Sequence, residues 1–336
     1  MGRAVWLSLS TTAIIVAVIV GFCVSPPAQS IPRTPLQGVS RPVCMPRSEQ
    51  WVLTSRAGRH YVISVALPRA PAPPAGYPVL YILDPDSAFA TLVETVRNQE
   101  VLFGPVVVVG IGYPDGTADK SRVLDLTLPA FRARLPATIP PGWRAIGGAD
   151  AFFRFIQGVL RPFIQSRISV DRSRQALFGD SLGGLFVLHV LFTHPEAFDT
   201  YIAGSPSIWW GSREILSEIP RFESLQIRSG QHRRLLITVG GLEHALAPEE
   251  LRDTLAMGLP NYDREYQEMK MVGNASSLAA ELKSLTAHGL QVKFTVFPNE
   301  THASVIPAYI GRGARFTLLG WDEKWISADL ARFHRP

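Results

Sequence analysis

Five consecutive residues, Gly179-Asp180-Ser181-Leu182-Gly183, with Gly184 after them, constrain this chain more than any other stretch. A serine with glycine two places away on either side carries chemistry only in one setting. A strand must run in, a sharp turn must carry the serine, and a helix must run out. Both flanks are present, because Gln175 to Phe178 reads as a strand and Leu182 to Phe192 as a strongly apolar helix. Such a turn presents the serine hydroxyl at the carboxyl edge of a sheet. It also sets the Leu182 N–H at a helix N-terminus, where it stabilises an oxyanion. The glycines let the turn close, since side chains there would clash.

Ser181 is therefore the candidate nucleophile, and an unaided hydroxyl needs a base. For a serine on such a turn the chain order is Ser, acid, His. The last predicted core strand, Val292 to Phe297, is followed by Pro298-Asn299-Glu300-Thr301-His302, which makes His302 the candidate base. His189, inside the apolar helix, reads as a core histidine, and His194, before Pro195, as a helix end. The preceding strand, Leu235 to Val239, leads to Glu243, the first carboxylate beyond it. Its expected role is to fix the His302 tautomer and stabilise the imidazolium. A second oxyanion donor is expected just after the early strand Val79 to Leu83, from the backbone N–H of Asp86 or Ser87.

The rest of the chain supplies the frame. Trp51 to Thr54 and Tyr61 to Leu67 read as two strands joined by the Arg56–Arg59 turn. Pro78 to Leu83 and Pro105 to Ile111 are continuous apolar runs, alternating with helical patterns at Phe89 to Asn98 and Ala149 to Arg167. Pro162 is expected to kink or end the second of these. Tyr201 to Ser205 is another strand; Ala275 to His288 and Trp325 to Phe333 are later helices. Uninterrupted apolar strands between helices predict a mostly parallel α/β sheet covered on both faces, as one domain over residues 45–336. Residues 113–147 and 206–233 are less regular and are expected to lie over the site.

The N-terminus reads as an export signal or an anchor over residues 1–30, then a linker over 31–44. Arg3 precedes an uncharged run from Ala4 to Ser25, and Ala28-Gln29-Ser30 is a small-x-small pattern. Either reading places the domain outside the cytoplasm, secreted or periplasmic, and meets a membrane only if the run is retained. Two cysteines, Cys23 and Cys44, exclude a disulfide scaffold. The net charge is +5, but lysine is scarce and the arginines are scattered, which argues against nucleic acid as a partner. No metal-ligand spacing and no nucleotide-binding glycine motif occurs, so neither metal nor cofactor is expected.

Several stretches together resemble the Putative esterase family of α/β-hydrolases, the esterase-D-like group that includes bacterial siderophore esterases. They are Ser48-Glu49-Gln50-Trp51, Tyr77 to Asp84, Val109 to Pro114, Arg122 with Asp125-Leu126-Thr127, and Gly147 to Phe152. Phe178 to Leu185, Ser205 to Trp210, Val239-Gly240 with Glu243, and Glu300 to Val305 continue them toward the C-terminus. The resemblance implies an α/β-hydrolase fold, Ser181 as nucleophile and His302 as base. Two departures stand out: Pro85 where the family often has glycine, and Asp180 where histidine is common.

For a siderophore esterase the substrate is an iron-chelating ester, often anionic. Arg122, with Arg132, Arg134 and Arg144 in the irregular segment, is expected to line such a site, and Trp209 and Trp210 to form an apolar wall for an acyl or aryl group. The reading is a serine esterase acting on a small-molecule ester. An acyltransferase with the same three residues and an alcohol acceptor, and a non-catalytic binding protein on the hydrolase fold, are the rival readings.

Overall fold

The computed structural model describes residues 44–114, 117–130, 135, 145–259 and 261–333. The expected signal or anchor and the linker lie outside them, apart from Cys44, whose thiol is free and exposed. Among the described residues no helix is long and apolar enough to cross a membrane.

Eight strands form one sheet in the order β1-β2-β4-β3-β5-β6-β7-β8. They are β1 (Ser48–Thr54), β2 (His60–Ala66), β3 (Tyr77–Leu83), β4 (Val107–Gly112), β5 (Val170–Asp180), β6 (Thr200–Gly204), β7 (Arg233–Gly240) and β8 (Leu290–Phe297). β2 is antiparallel to β1 and to β4, and every other neighbouring pair is parallel. This is the mostly parallel α/β sheet that the apolar runs predict, in keeping with the α/β-hydrolase fold that the resemblance implies.

The reason those runs are continuous is visible residue by residue in β3. Val79, Tyr81 and Leu83 point into one core and Leu80 and Ile82 into the other. A strand buried on both faces has no polar side to show. The first core takes helices α3 (Ala149–Phe155), α5 (Leu182–Thr193), α7 (Ile219–Ser229) and α10 (Met271–Leu282); the second takes α1 (Pro85–Phe103) and the front half of α11 (Ile306–Phe333). Between these lie α2 (Ala118–Leu126), α4 (Arg161–Gln165), α6 (Trp210–Arg213), α8 (Pro248–Ala256) and α9 (Tyr262–Glu268).

Three expectations change. Pro162 neither ends nor breaks the helix where it stands. The chain widens into a π-turn over Ile156–Leu160, with the Arg161 N–H bonded to the Ile156 carbonyl, and the helix then carries Pro162, which has no donor, on to Gln165. The two irregular segments hold helices, α2 in the first and α6 and α7 in the second. α11 starts about twenty residues before the predicted Trp325, because Pro307, Gly311 and Gly313 masked its pattern. Gly313 has a packing reason: a Cβ there would come within 2.7 Å of Ile202 and 2.8 Å of Phe178, so the glycine lets α11 lie close on the sheet.

Candidate active site

The carboxyl ends of β3, β5, β6, β7 and β8 lie along one edge, and each delivers a polar residue. β5 ends at Asp180, and Ser181 follows with φ 58° and ψ −118°, directly before α5. A non-glycine residue holds that backbone only when its surroundings fix it. Here the Ser181 N–H donates to the Gly204 carbonyl at 2.9 Å, and its own carbonyl accepts from Leu185 at 3.0 Å and Ser207 at 3.1 Å. Gly179 is required at the crossing, since a Cβ would lie 2.3 Å from the Gly183 carbonyl. The second tight position is Gly184, where a Cβ would meet the Gly204 carbonyl at 2.5 Å, and not Gly183, whose nearest neighbour is at 3.4 Å.

Glu243 lies in the turn after β7 and is fully buried. Its Oε1 accepts from the Ser205 hydroxyl at 2.5 Å and from the Gly240 N–H at 2.6 Å. Its Oε2 faces His302 Nδ1 at 2.8 Å. Both carboxylate oxygens are thus occupied, and the Nδ1 proton is drawn to Glu243, which leaves Nε2 as the free imidazole nitrogen. Burial alone would push the His302 pKa down. The Glu243 charge and hydrogen bond, with Asp180 behind them, outweigh it and raise the imidazole above its ordinary range.

The Ser181 hydroxyl lies 3.4 Å from that of Ser207, which is itself buried. Asp180, the residue before the nucleophile, has its Oδ1 buried with no hydrogen-bond partner. Burial holds its carboxyl up to about 7, against the opposing pull of His302. Ser205 and Ser207 carry no mark of a site role in the sequence, and Asp180 stands out there only as a departure from the family pattern. The one signal for Ser205 is its place at the end of a predicted strand next to the nucleophile strand.

The proposed oxyanion donors both start helices. Leu182 is the first residue of α5, and Asp86 lies in the first turn of α1, beyond Pro85, which has no N–H. The Ser87 N–H donates to the Asp84 carbonyl at 3.3 Å, so that donor is already engaged.

Two substrate-wall residues are reassigned. Arg122 spends its guanidinium fork on Asp84, at 2.8 and 2.9 Å, and reaches the Asp180 carbonyl at 3.5 Å. Asp84 caps α1 with φ 51°, so Arg122 ties the turn after β3 to the nucleophile turn and acts as scaffold. Trp210 is fully buried and donates its indole N–H to the Leu128 carbonyl at 3.0 Å, so it belongs to the core. Trp209 is half-buried and packs on a small cluster of Tyr262, Tyr266, Met269 and Met271. Burial, with the charges of Glu243, Glu250 and Asp180, pushes the Tyr266 hydroxyl pKa up. Arg132, Arg134 and Arg144 lie outside the described residues. Among the described residues no three His, Cys, Asp or Glu side chains gather as a metal site.

The chain is similar to known proteins over most of its length. Residues 54–277 match the family model described as Putative esterase, a span that holds Ser181 and Glu243 and stops short of His302. The ferri-bacillibactin esterase BesA of Bacillus subtilis (strain 168) is 39% identical over 290 residues, covering 84% of this chain and 93% of that protein. The siderophore triacetylfusarinine C esterase of Aspergillus fumigatus is 34% identical, covering 83% and 96% of the two chains. The crystal structure of the BES protein from Bacillus cereus superposes with a TM-score of 0.71 at 32% identity, covering 83% of this chain and 99% of that one.

Proposed function

The chain belongs to the Putative esterase family and is a carboxylic ester hydrolase, and on that premise we propose that it opens siderophore esters through Ser181, His302 and Glu243. The single observation that carries the mechanism is the Glu243 carboxylate, buried and held on three sides, with one oxygen on His302 Nδ1.

The sequence of steps follows from these positions. Ser181 Oγ attacks the ester carbonyl while His302 Nε2 takes its proton. The Leu182 and Asp86 N–H groups stabilise the oxyanion. His302 then returns the proton to the leaving alcohol, and water, deprotonated by the same nitrogen, releases the acyl group from Ser181. Glu243 holds the imidazole in the tautomer that keeps Nε2 unprotonated between steps. Substrate choice rests on the names of the relatives, and the cluster of Trp209, Tyr262 and Tyr266 offers aromatic surface to match. The N-terminal apolar run supports action outside the cytoplasm.

The test is hydrolysis by the full-length protein of ferri-bacillibactin and of triacetylfusarinine C beside p-nitrophenyl acetate, followed by mass spectrometry of the products. A kcat/KM for one of the siderophores at least about tenfold above the simple ester is expected. Cleavage of the simple ester alone sinks the siderophore assignment and leaves the esterase.

A pH prediction follows. His302 must be neutral to accept a proton, and the negative charges of Glu243 and Asp180 hold its pKa up while Arg122 acts against them. kcat/KM therefore rises with pH through a limb above the ordinary histidine value. Asp180→Asn removes one of those negative charges, lowers the His302 pKa and moves the acid limb to lower pH. A limb that stays in place or moves up in a full pH profile contradicts this.

A further inference from the structure

A cleft of about 600 Å³ opens between the turn joining β1 to β2 and the π-turn that follows α3, and none of its lining residues belongs to the Ser181 centre. Its walls are apolar, with Leu124, Ala151, Phe155 and Val159 along them. Three arginines surround them: Arg56 and Arg59 from the turn, and Arg154 from the last turn of α3.

The charges in this cleft are not balanced. Arg59 gives its Nη2 to Asp125 and to the Tyr61 hydroxyl, and Asp125 is fully buried behind it. Among the described residues Arg56 and Arg154 have no acidic partner. Of the three guanidinium groups, Arg59 alone is matched by a carboxylate.

One wall residue is tied inward, away from the opening: Gln157 Oε1 accepts from Arg161 at 2.7 Å, and its Nε2 is closed off from solvent. Gln157 sits in the π-turn, and such turns recur where a helix has been adapted to hold something.

We propose that this cleft is a second ligand site, for a small organic carboxylate with an aryl or branched-alkyl body. The carboxylate would lie between Arg56 and Arg154, in reach of Arg59, where planar forks match its two oxygens. The body would lie on Leu124, Phe155 and Val159. Ester hydrolysis releases a molecule of this class, so the enzyme generates candidate occupants as it works. The assignment does not depend on which residues perform the hydrolysis.

Benzoate is the probe, titrated into the full-length protein and followed by ligand-observed NMR, with inorganic phosphate in parallel. Two variants locate the site. Arg56→Gln with Arg154→Gln removes charge from two exposed positions. Gly158→Phe fills the cleft without changing charge, because a Cβ at Gly158 meets nothing within 4 Å. Saturable benzoate binding is expected in the wild type, weaker by at least about tenfold in each variant, with p-nitrophenyl acetate hydrolysis unchanged. Absence of saturable binding to the wild type overturns the proposal. So does benzoate binding at wild-type strength in the double arginine variant, which keeps the test decisive should Gly158→Phe fail to fold. Phosphate binding as tightly as benzoate overturns the organic-carboxylate assignment, since charge alone would then explain the site.

Discussion

Ser181→Ala is expected to lower kcat for ester hydrolysis by roughly 10⁴-fold or more, while leaving the protein folded. The loss is large because the hydroxyl supplies the bond-forming atom, and the oxyanion donors and the imidazole have nothing to act on without it. The fold should survive because the turn is held by the backbone of residue 181. Its N–H to Gly204 and its carbonyl to Leu185 and Ser207 are untouched by the substitution. Intact-mass spectrometry after fluorophosphonate treatment provides a second readout, with one adduct on the wild type and none on the variant. A variant that keeps more than about a tenth of the wild-type rate would remove Ser181 from the mechanism.

The second large effect is expected at Glu243. Glu243→Gln keeps the shape of the side chain and an oxygen for Ser205 and Gly240. Its amide nitrogen then faces His302 Nδ1 and donates where the carboxylate accepted. The imidazole is forced to carry its proton on Nε2, toward the serine, and cannot take another there. A fall in kcat of roughly 10²- to 10⁴-fold is expected. Glu243→Ala differs in kind, because it leaves the Ser205 hydroxyl and the Gly240 N–H buried without their acceptor. A further stability loss of about 2 kcal/mol or more, read by chemical denaturation, is expected for that variant alone. If Glu243→Gln stays within about tenfold of the wild type, Ser181 and His302 work as a pair without an acid.

Much of this arrangement was legible in the chain. The strand–turn–helix around Ser181, and the positions of Glu243 and His302 after the last two core strands, follow from apolar runs and their order. What stayed hidden depended on partners distant in sequence. Arg122 is indistinguishable from a substrate-binding arginine until Asp84 is seen to take both arms of its fork. Trp210 reads like Trp209 until one indole is found bonded to Leu128 in the core and the other half-buried against tyrosines. Ser205 and Ser207 are small polar residues in a loop, and only the folded backbone brings one to Glu243 and the other to Ser181. The glycine pattern misled in one detail, since the close approach falls on Gly184, a residue beyond the motif. The start of α11 was masked for a related reason. Gly313 weakens helix propensity, and it is there to let a helix sit against Ile202 and Phe178.

The residues that gather at the sheet edge come from different strands, one after another across it: Asp84 after β3, Ser181 after β5, Ser205 after β6, Glu243 after β7 and His302 after β8. Neighbouring strands have a spacing fixed by their hydrogen bonds, at about 4.8 Å. The sheet therefore works as a ruler, and the separation between nucleophile, acid and base is graduated by backbone pairing before any loop is placed. The turn that carries Trp209 and the helix that carries Tyr262 and Tyr266 hang between those marks. Evolution can lengthen, shorten or redecorate such loops, and so change which ester is admitted, without moving the graduations that set the chemistry.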